Sequence, residues 1–167
     1  MKRLPIPDDM RGGASFSRCR AYRYTLTRKW SKGPRLCFVG MNPSTADATH
    51  DDPTIRLVIL RARREGFCEL EAVNLFALRS TDPKGLLAVE DPVGPRNAEA
   101  VRRAIERSDA VFAGWGRPPI DSPRVRAIAA ASGPLCLGIT KSGEPRHPLY
   151  LPKDAELIPW LGTATAQ

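Results

Sequence analysis

Three short polar segments carry the side chains of this chain that are best suited to chemistry. They are Gly40-Met41-Asn42-Pro43-Ser44 after the apolar run 36–39, Asn74 near the end of the next apolar run, and His147 within residues 140–151. Amide and imidazole groups donate and accept hydrogen bonds, so they can hold a polar ligand or a water molecule. Each segment alone also fits a turn, a cap or a surface histidine. Together they indicate one polar site at the carboxyl edge of a sheet.

The sequence contains no signature of a bound nucleotide or metal. Neither Gly-x-Gly-x-x-Gly nor a P-loop pattern occurs. The cysteines at positions 19, 37, 68 and 136 are far apart and form no Cys-x-x-Cys pair, which argues against a zinc or iron–sulfur site. Cys37 and Cys136 lie in apolar runs and are expected to be buried thiols. We therefore expect no cofactor and no metal.

Length and composition describe an ordinary globular protein with a basic excess. The 167 residues include 26 Lys and Arg against 18 Asp and Glu, giving a formal net charge of +8. That excess favours a polyanionic partner, because basic residues release counterions from phosphates, but it also fits a protein that uses arginine as its general surface residue. No apolar run approaches the roughly 20 residues of a membrane span, and no signal peptide is evident. A cytoplasmic location is the default expectation.

Helical and strand patterns alternate along the chain. An edge strand or hairpin is predicted for 19–30. Strands are predicted for 36–39, 70–76, 110–113 and 135–137, and helices after Asp52-Pro53, after Asp82-Pro83, over 95–107 and over 124–131. Parallel strands need such helical crossovers, so the fold class is α/β, a three-layer α/β/α sandwich with a mostly parallel central sheet. One domain over 1–167 is expected, with 1–15 as a loose lead-in and 162–167 as a flexible tail.

The polar segments also carry a resemblance that covers nearly the whole chain. Stretches 38–47, 51–54, 73–79, 91–94 and 146–152 resemble a bacterial family of unknown function, and in the same order they resemble the uracil-DNA glycosylase superfamily. Gly40-Met41-Asn42-Pro43 is similar to the first motif of its mismatch-specific branch. Val73-Asn74-Leu75 is similar to the strand end that contacts uracil, and His147-Pro148 to the late motif. The resemblance implies the fold of that superfamily.

The resemblance also implies roles for individual residues. Asn42 and His147 would be catalytic: Asn42 holds the attacking water, and His147 donates a hydrogen bond to uracil O2. Asn74 would pair with O4 and N3 of the base. Gly40, Met41, Pro43, Ser44 and Phe76 would complete the substrate site, although Phe76, Phe67 and Tyr22 all remain open as the aromatic residue that stacks on the base. Lys141 and Arg146 would flank the site and contact phosphates, and Leu151 would be the wedge that opens the duplex.

Three departures from the superfamily pattern affect these roles. Asn42 replaces the aspartate of the uracil-specific branch and cannot act as a base, so the resemblance implies slower chemistry unless Asp47, Asp51 or Asp52 supplies a carboxylate. Ser44 replaces a tyrosine that rejects the thymine methyl group. The late motif reads His-Pro-Leu, which lacks one phosphate-binding hydroxyl.

The sequence therefore predicts a monomeric DNA glycosylase, free of metal and cofactor, that hydrolyses the bond between uracil, or a related deaminated base, and DNA. Two alternatives stay open. A non-catalytic nucleic-acid-binding module would bind DNA without releasing a base, and would be indifferent to Asn42→Ala or His147→Ala. A nucleoside or nucleotide hydrolase would act on small molecules and have no affinity for DNA.

Overall fold

The computed structural model describes residues 3–152 and 154–162 of the chain. Its strands are β1 (Leu4–Pro5), β2 (Arg11–Phe16), β3 (Arg23–Lys29), β4 (Arg35–Gly40), β5 (His50–Asp51), β6 (Glu69–Asn74), β7 (Ala110–Ala113), β8 (Leu135–Cys136) and β9 (Ile158–Pro159). Its helices are α1 (Pro53–Arg64), α2 (Asn97–Glu106) and α3 (Pro123–Ala131), with 3₁₀ turns at Pro83–Ala88 and Pro148–Tyr150. Within the described ranges, no helix has both the length and the apolar character needed to cross a membrane.

Seven strands form one mixed sheet in the order β2-β3-β6-β4-β7-β8-β9. The prediction of an α/β protein is confirmed, but the prediction of a mostly parallel sheet is wrong. The four adjacent strands β6, β4, β7 and β8 run parallel to one another. The pairs β2–β3, β3–β6 and β8–β9 are antiparallel. The reason is that β2 and β3 are joined by a short connection, which imposes an antiparallel pair, and this hairpin adds to β6 as a unit.

The described part of the predicted lead-in is ordered, which corrects the expectation of a loose segment over 1–15. β1 pairs with β5, and β2 pairs with β3 along its whole length. Gly12 of β2 allows close packing against a neighbouring segment. A Cβ atom at Gly12 would lie 2.1 Å from the Ala48 carbonyl oxygen, so only glycine fits there. Of the predicted tail, residues 163–167 lie outside the described residues.

Helices cover both faces of the sheet. Successive side chains of a central strand point to opposite faces, and in β4 the apolar residues on both faces are buried under helices. Leu36 and Phe38 of β4 pack in a cluster with α1, and Cys37 and Val39 pack in a second cluster with α2 and α3. We call these the α1 cluster and the α2–α3 cluster. Cys37 is fully buried, as is Cys136 in β8, which confirms the prediction of buried thiols.

The start of α1 follows the sequence prediction. Asp52 is the N-cap, and its Oδ1 accepts a hydrogen bond of 2.9 Å from the Ile55 N–H, while Pro53 occupies the first helical turn. A proline there costs no hydrogen bond, because its position has no intrahelical acceptor. Asp52 and Pro53 thereby determine where the polar segment after β4 ends and where α1 begins.

A buried ion pair holds the segment that leads into α1. Arg28 of β3 donates from Nε to Asp51 Oδ1 at 2.8 Å, and both side chains are almost fully buried. Its Nη2 also donates to the carbonyl oxygens of Asp47 at 2.6 Å and His50 at 3.0 Å. One guanidinium thus satisfies three acceptors between Asp47 and Asp51, and it ties this segment, which ends in the short strand β5, to the sheet.

We expect Arg28→Met to lower the free energy of unfolding by about 3 kcal/mol, because it leaves the buried Asp51 with only the longer, 3.7 Å contact to the half-exposed Arg56. Urea denaturation of both proteins measures the difference. Arg102→Met is the matched control: Arg102 pairs with Glu99 on the exposed face of α2, where solvent screens the ion pair, so its loss is expected to destabilise the protein much less. Equal effects of the two substitutions would contradict this role for Arg28.

Candidate functional site

A cavity of about 590 Å³ opens at the carboxyl ends of β4 and β6, on the side of the sheet that faces α1. The alternation of side chains along each strand determines which residues reach it. Residues two apart in a strand share a face of the sheet. The cavity is accordingly lined by Phe38 and Gly40 of β4 and by Ala72 and Asn74 of β6. Ile55 of α1 closes the opposite wall. Because Gly40 and Ala72 are small, space remains between the strand ends and the helix.

Phe38 supplies an aromatic surface to the cavity, and two glycines make room for its ring. A Cβ atom at Gly40 would lie 3.2 Å from Phe38 Cε1, and one at Gly114 would lie 2.9 Å from Phe38 Cε2. The ring packs against Phe112 at a centroid distance of 5.2 Å. A planar ligand that enters this cavity therefore meets an aromatic group held in a fixed orientation.

Asn42 and Asn74 both line the cavity, with different hydrogen-bonding states. The Asn42 Nδ2 group donates to the Ser80 carbonyl at 2.8 Å, so its Oδ1 is the atom that can accept a bond from a ligand or water. The Asn74 side chain is buried, and its Nδ2 has no hydrogen-bond partner within the described part of the chain. A buried donor without an acceptor is costly, and a ligand that supplies a carbonyl oxygen would remove that cost.

His147 lies on another wall of the cavity, immediately before the 3₁₀ turn Pro148–Tyr150. Its Nδ1 accepts a hydrogen bond from the Leu149 N–H at 3.3 Å. In the neutral ring the proton therefore sits on Nε2, which is free to act as a donor. Burial lowers the pKa of His147, against a smaller opposing effect of the Asp52 carboxylate. The imidazole is thus held neutral in the ordinary pH range.

Of the three carboxylates that the sequence left open, Asp52 is the one that lines the cavity. Asp51 is engaged with Arg28, as described above. Asp47 pairs with Arg3; its partial burial raises the pKa, but hydrogen bonds from the Thr49 and His50 N–H groups outweigh this and lower it to about 2. Asp52 is buried at the N-terminus of α1, where the helix dipole favours a negative charge.

Arg23 is a cavity residue that the sequence pattern did not indicate. It is the first residue of β3, which runs antiparallel to β6, so the amino end of β3 arrives at the edge where β4 and β6 end. The prediction considered only the carboxyl ends of parallel strands. Arg23 is buried, and its Nη1 donates to the Ala46 carbonyl at 2.8 Å.

The other predicted site residues divide into two groups. Met41, Ser44 and Arg146 line the cavity together with Gly40, whereas Pro43, Lys141, Leu151 and Phe76 do not. Pro43 is buried next to the lining residues, and Lys141 is exposed beside Thr140, which lines the cavity. Leu151 is partly buried and packs against the α1 cluster, which does not suit the predicted wedge.

The prediction that Phe76 contacts the ligand needs correction, because the ring is fully buried in the α2–α3 cluster. β6 ends at Asn74, and the chain continues beside the residues that follow β4, where the Phe76 N–H donates to the Met41 carbonyl. The alternatives Phe67 and Tyr22 do not line the cavity either: Phe67 packs against the α1 cluster, and the Tyr22 hydroxyl donates to the Asp91 carbonyl.

The aromatic side chains that line the cavity belong instead to residues that the sequence analysis did not predict for the site. Phe38 and Trp115 are buried, whereas Tyr150 is 78% exposed at the mouth, with its ring centroid 5.5 Å from that of His147. For Phe38 a signal existed: it stands two residues before Gly40 in the same strand, and so on the same face.

The mouth of the cavity is basic. Arg117 and Arg146 are both exposed there, and neither forms an ion pair with a residue in the described ranges. Other basic side chains are paired: Arg35 and Arg107, for example, both form ion pairs with Glu71. Among residues 3–152 and 154–162, no group of three His, Cys, Asp or Glu side chains is arranged as metal ligands would be.

The structure is that of an α/β protein with a polar cavity at the carboxyl ends of two strands, lined by amides, an imidazole, a carboxylate and an arginine. Residues 23–149, more than half of the chain, match the model of the family described as "Protein of unknown function (DUF1643)", and the chain belongs to this family. No curated protein and no solved structure matched the chain. The matched range contains β3, β4 and β6, and most of the residues that line the cavity.

We expect the imidazole of His147 to titrate below its ordinary pKa of 6.5 and to carry its proton on Nε2 when neutral. Below that pH the unfolded state binds more protons than the folded state, so the stability that depends on this group is full above it and is lost as the pH falls. Nitrogen-15 NMR of the ring checks the tautomer and the pKa. A Nδ1–H tautomer, or a pKa above 6.5, would contradict the described geometry.

Proposed function

We propose that this chain is a DNA glycosylase-type hydrolase, which binds a base swung out of DNA and hydrolyses its N-glycosidic bond. Uracil, or a related deaminated base, is the proposed substrate. The observation that carries the proposal is the presence of two polar side chains in one cavity, Asn74, whose buried Nδ2 has no partner among the described residues, and the partly buried His147, whose Nδ1 accepts a hydrogen bond and leaves Nε2 as the donor. Uracil offers two carbonyl oxygens on one planar ring, and these two groups would bind them.

Asn74 supports the choice of base. Its Nδ2 can donate to O4 of uracil, and its Oδ1 can accept from N3–H. Cytosine has an amino group in place of O4 and no hydrogen on N3, so both contacts would become unfavourable. Such a loss leaves buried groups unpaired, which discriminates between ligands more strongly than a difference in shape. The Phe38 ring would lie against the base and hold it in the cavity.

His147 supports the chemistry. When the bond between C1′ and N1 breaks, its electron pair passes to the base, and negative charge develops on O2. A neutral imidazole whose Nε2–H is already oriented stabilises that charge without reorganisation. The hydrogen bond from the Leu149 N–H to Nδ1 favours the required tautomer. Burial of His147 strengthens the effect, because a charge interaction is larger where water is excluded.

Asp52 and Asn42 support the attack by water. The Asn42 Oδ1 can accept a hydrogen bond from a water molecule. The Asp52 carboxylate can stabilise positive charge on the sugar and take up the proton that this water loses when its oxygen bonds to C1′. The carboxylate thus comes from the cap of α1 and not from the motif after β4. At the mouth, Arg117 and Arg146 would contact the phosphates on either side of the base.

The test is incubation of the chain with oligonucleotides that contain one uracil, followed by alkali, which breaks the strand wherever a base has been lost. Single-stranded DNA and duplexes with guanine or adenine opposite uracil are compared, together with hypoxanthine and thymine mispairs. We expect strand breaks, and we expect His147→Ala to slow base release by about 10²–10³-fold, the usual effect of removing one donor to developing charge. His50→Ala is the matched control, because His50 does not line the cavity.

Two outcomes would contradict the proposal: no base release from any of these substrates, or a rate in His147→Ala equal to that of the unmodified chain. DNA binding that weakens with salt but releases no base would favour a binding module. Hydrolysis of free deoxyuridine without action on oligonucleotides would favour a nucleoside hydrolase.

A further inference from the structure

Arg23 is a buried cation whose burial the fold does not explain. Its side chain is 2% exposed, and it forms no ion pair with the residues that the structure describes. Nη1 donates to the Ala46 carbonyl, but Nε is buried and has no hydrogen-bond partner within the same residues. Arg28, which is equally buried on the same strand, differs in being paired with Asp51 and two carbonyl oxygens. A structural role therefore accounts for the burial of Arg28, whereas the Nε–H donor of Arg23 has no partner among the described residues.

Arg23 lines the cavity. Burial lowers the pKa of Arg23 to about 10, with Asp52 acting in the opposite direction, so the guanidinium keeps its charge at neutral pH. A buried charged group with an unpaired donor is destabilising unless something completes its hydrogen bonds. Because Arg23 and the unpartnered Nδ2 of Asn74 line one cavity, a single ligand can complete both.

The geometry of the guanidinium limits the ligand chemistry. Nε–H and the neighbouring Nη2–H point the same way in one plane and can bind two adjacent acceptors, or one carbonyl oxygen with both donors. A 6-keto purine presents O6 and N7 as such a pair, and uracil presents O4. Adenine and cytosine place an amino group at the same position, where its hydrogens would face the donors of Arg23.

We propose that Arg23 is a specificity-determining residue of this cavity, which binds the carbonyl group of a keto base through the Nε side of its guanidinium and disfavours a base with an amino group there. The proposal rests on the proposed function for its ligand class, a nucleobase, but it does not require catalysis. It also extends the range of bases to hypoxanthine, since the purine edge offers two acceptors to the two donors.

Binding of free bases tests the proposal. Dissociation constants for uracil, cytosine, hypoxanthine and adenine are measured by NMR titration of the full chain and of Arg23→Gln. We expect the unmodified chain to prefer each keto base over its amino counterpart, and Arg23→Gln to reduce that preference about tenfold, the usual discrimination of a bidentate arginine. Arg124→Gln removes the same charge from the exposed side of α3 and is expected to leave the preference unchanged.

Two further measurements keep the proposal falsifiable if Arg23→Gln does not fold. Arg23→Lys retains the charge but not the planar pair of donors, so it should also lose preference for hypoxanthine over adenine. In the unmodified chain, the Nε–H resonance of Arg23 should shift on addition of hypoxanthine and stay in place with adenine. A folded variant with an undiminished preference, an unmodified chain that binds no base, or a Nε–H signal that is unchanged at saturation with hypoxanthine would overturn the proposal.

The outcomes separate this inference from the proposed function. If the chain binds keto bases through Arg23 but releases none from DNA, the glycosylase proposal fails and the role of Arg23 stands. If base release occurs and Arg23→Gln keeps the preference for uracil and hypoxanthine, the role of Arg23 fails and the glycosylase proposal stands.

Discussion

The ion pair between Arg28 and Asp51 fixes the geometry on which the site depends. It joins β3 to the segment that precedes α1, and three acceptors of that segment bind one buried guanidinium. Asp52 follows immediately, so the same contact positions the carboxylate of the cavity and the first turn of the helix. The Ala46 carbonyl that Arg23 binds belongs to this segment too. The ion pair and its two neighbouring hydrogen bonds thereby hold this segment in one position against β3, as a site with oriented donors requires.

The second constraint is the mixed sheet itself. Parallel strands bring Gly40 and Asn74 to one edge, and alternation brings Phe38 to the same face. The antiparallel β3 then delivers a cation to this edge from its amino end. The cavity consequently combines an aromatic surface, amides and an imidazole with a buried arginine and a carboxylate. This set of groups suits a planar, polar, uncharged ligand on which negative charge can develop, and a nucleobase meets that description.

The sequence was sufficient wherever local chemistry decides structure. Asp52-Pro53 predicted the start of α1, the apolar run predicted β4, and the carboxyl-edge rule placed Asn42, Asn74 and His147 together, although it could not order the strands. It failed where tertiary contacts decide. The stretch 1–15 was expected to be loose because tertiary contacts such as that between Gly12 and the Ala48 carbonyl are invisible in sequence. Phe76 was assigned to the site because its apolar pattern predicted a strand as far as residue 76, whereas β6 ends at Asn74. Arg23 was missed because β3 runs antiparallel to β6, so that the first residue of β3 lies at the edge where β6 ends.

The most direct test of the central claim is to observe the proposed donors with a base in the cavity. A duplex carrying 2′-fluoro-2′-deoxyuridine holds the base in a form that resists hydrolysis, because fluorine disfavours positive charge on the sugar. Nitrogen-15 NMR would follow the Asn74 Nδ2 and His147 Nε2 signals during its titration, with a duplex that carries 2′-fluoro-2′-deoxycytidine at the same position as reference, because cytosine lacks the O4 and N3–H that Asn74 would bind. The account predicts that both signals shift on saturation with the uracil duplex. Saturation of DNA binding with both signals unchanged would contradict it.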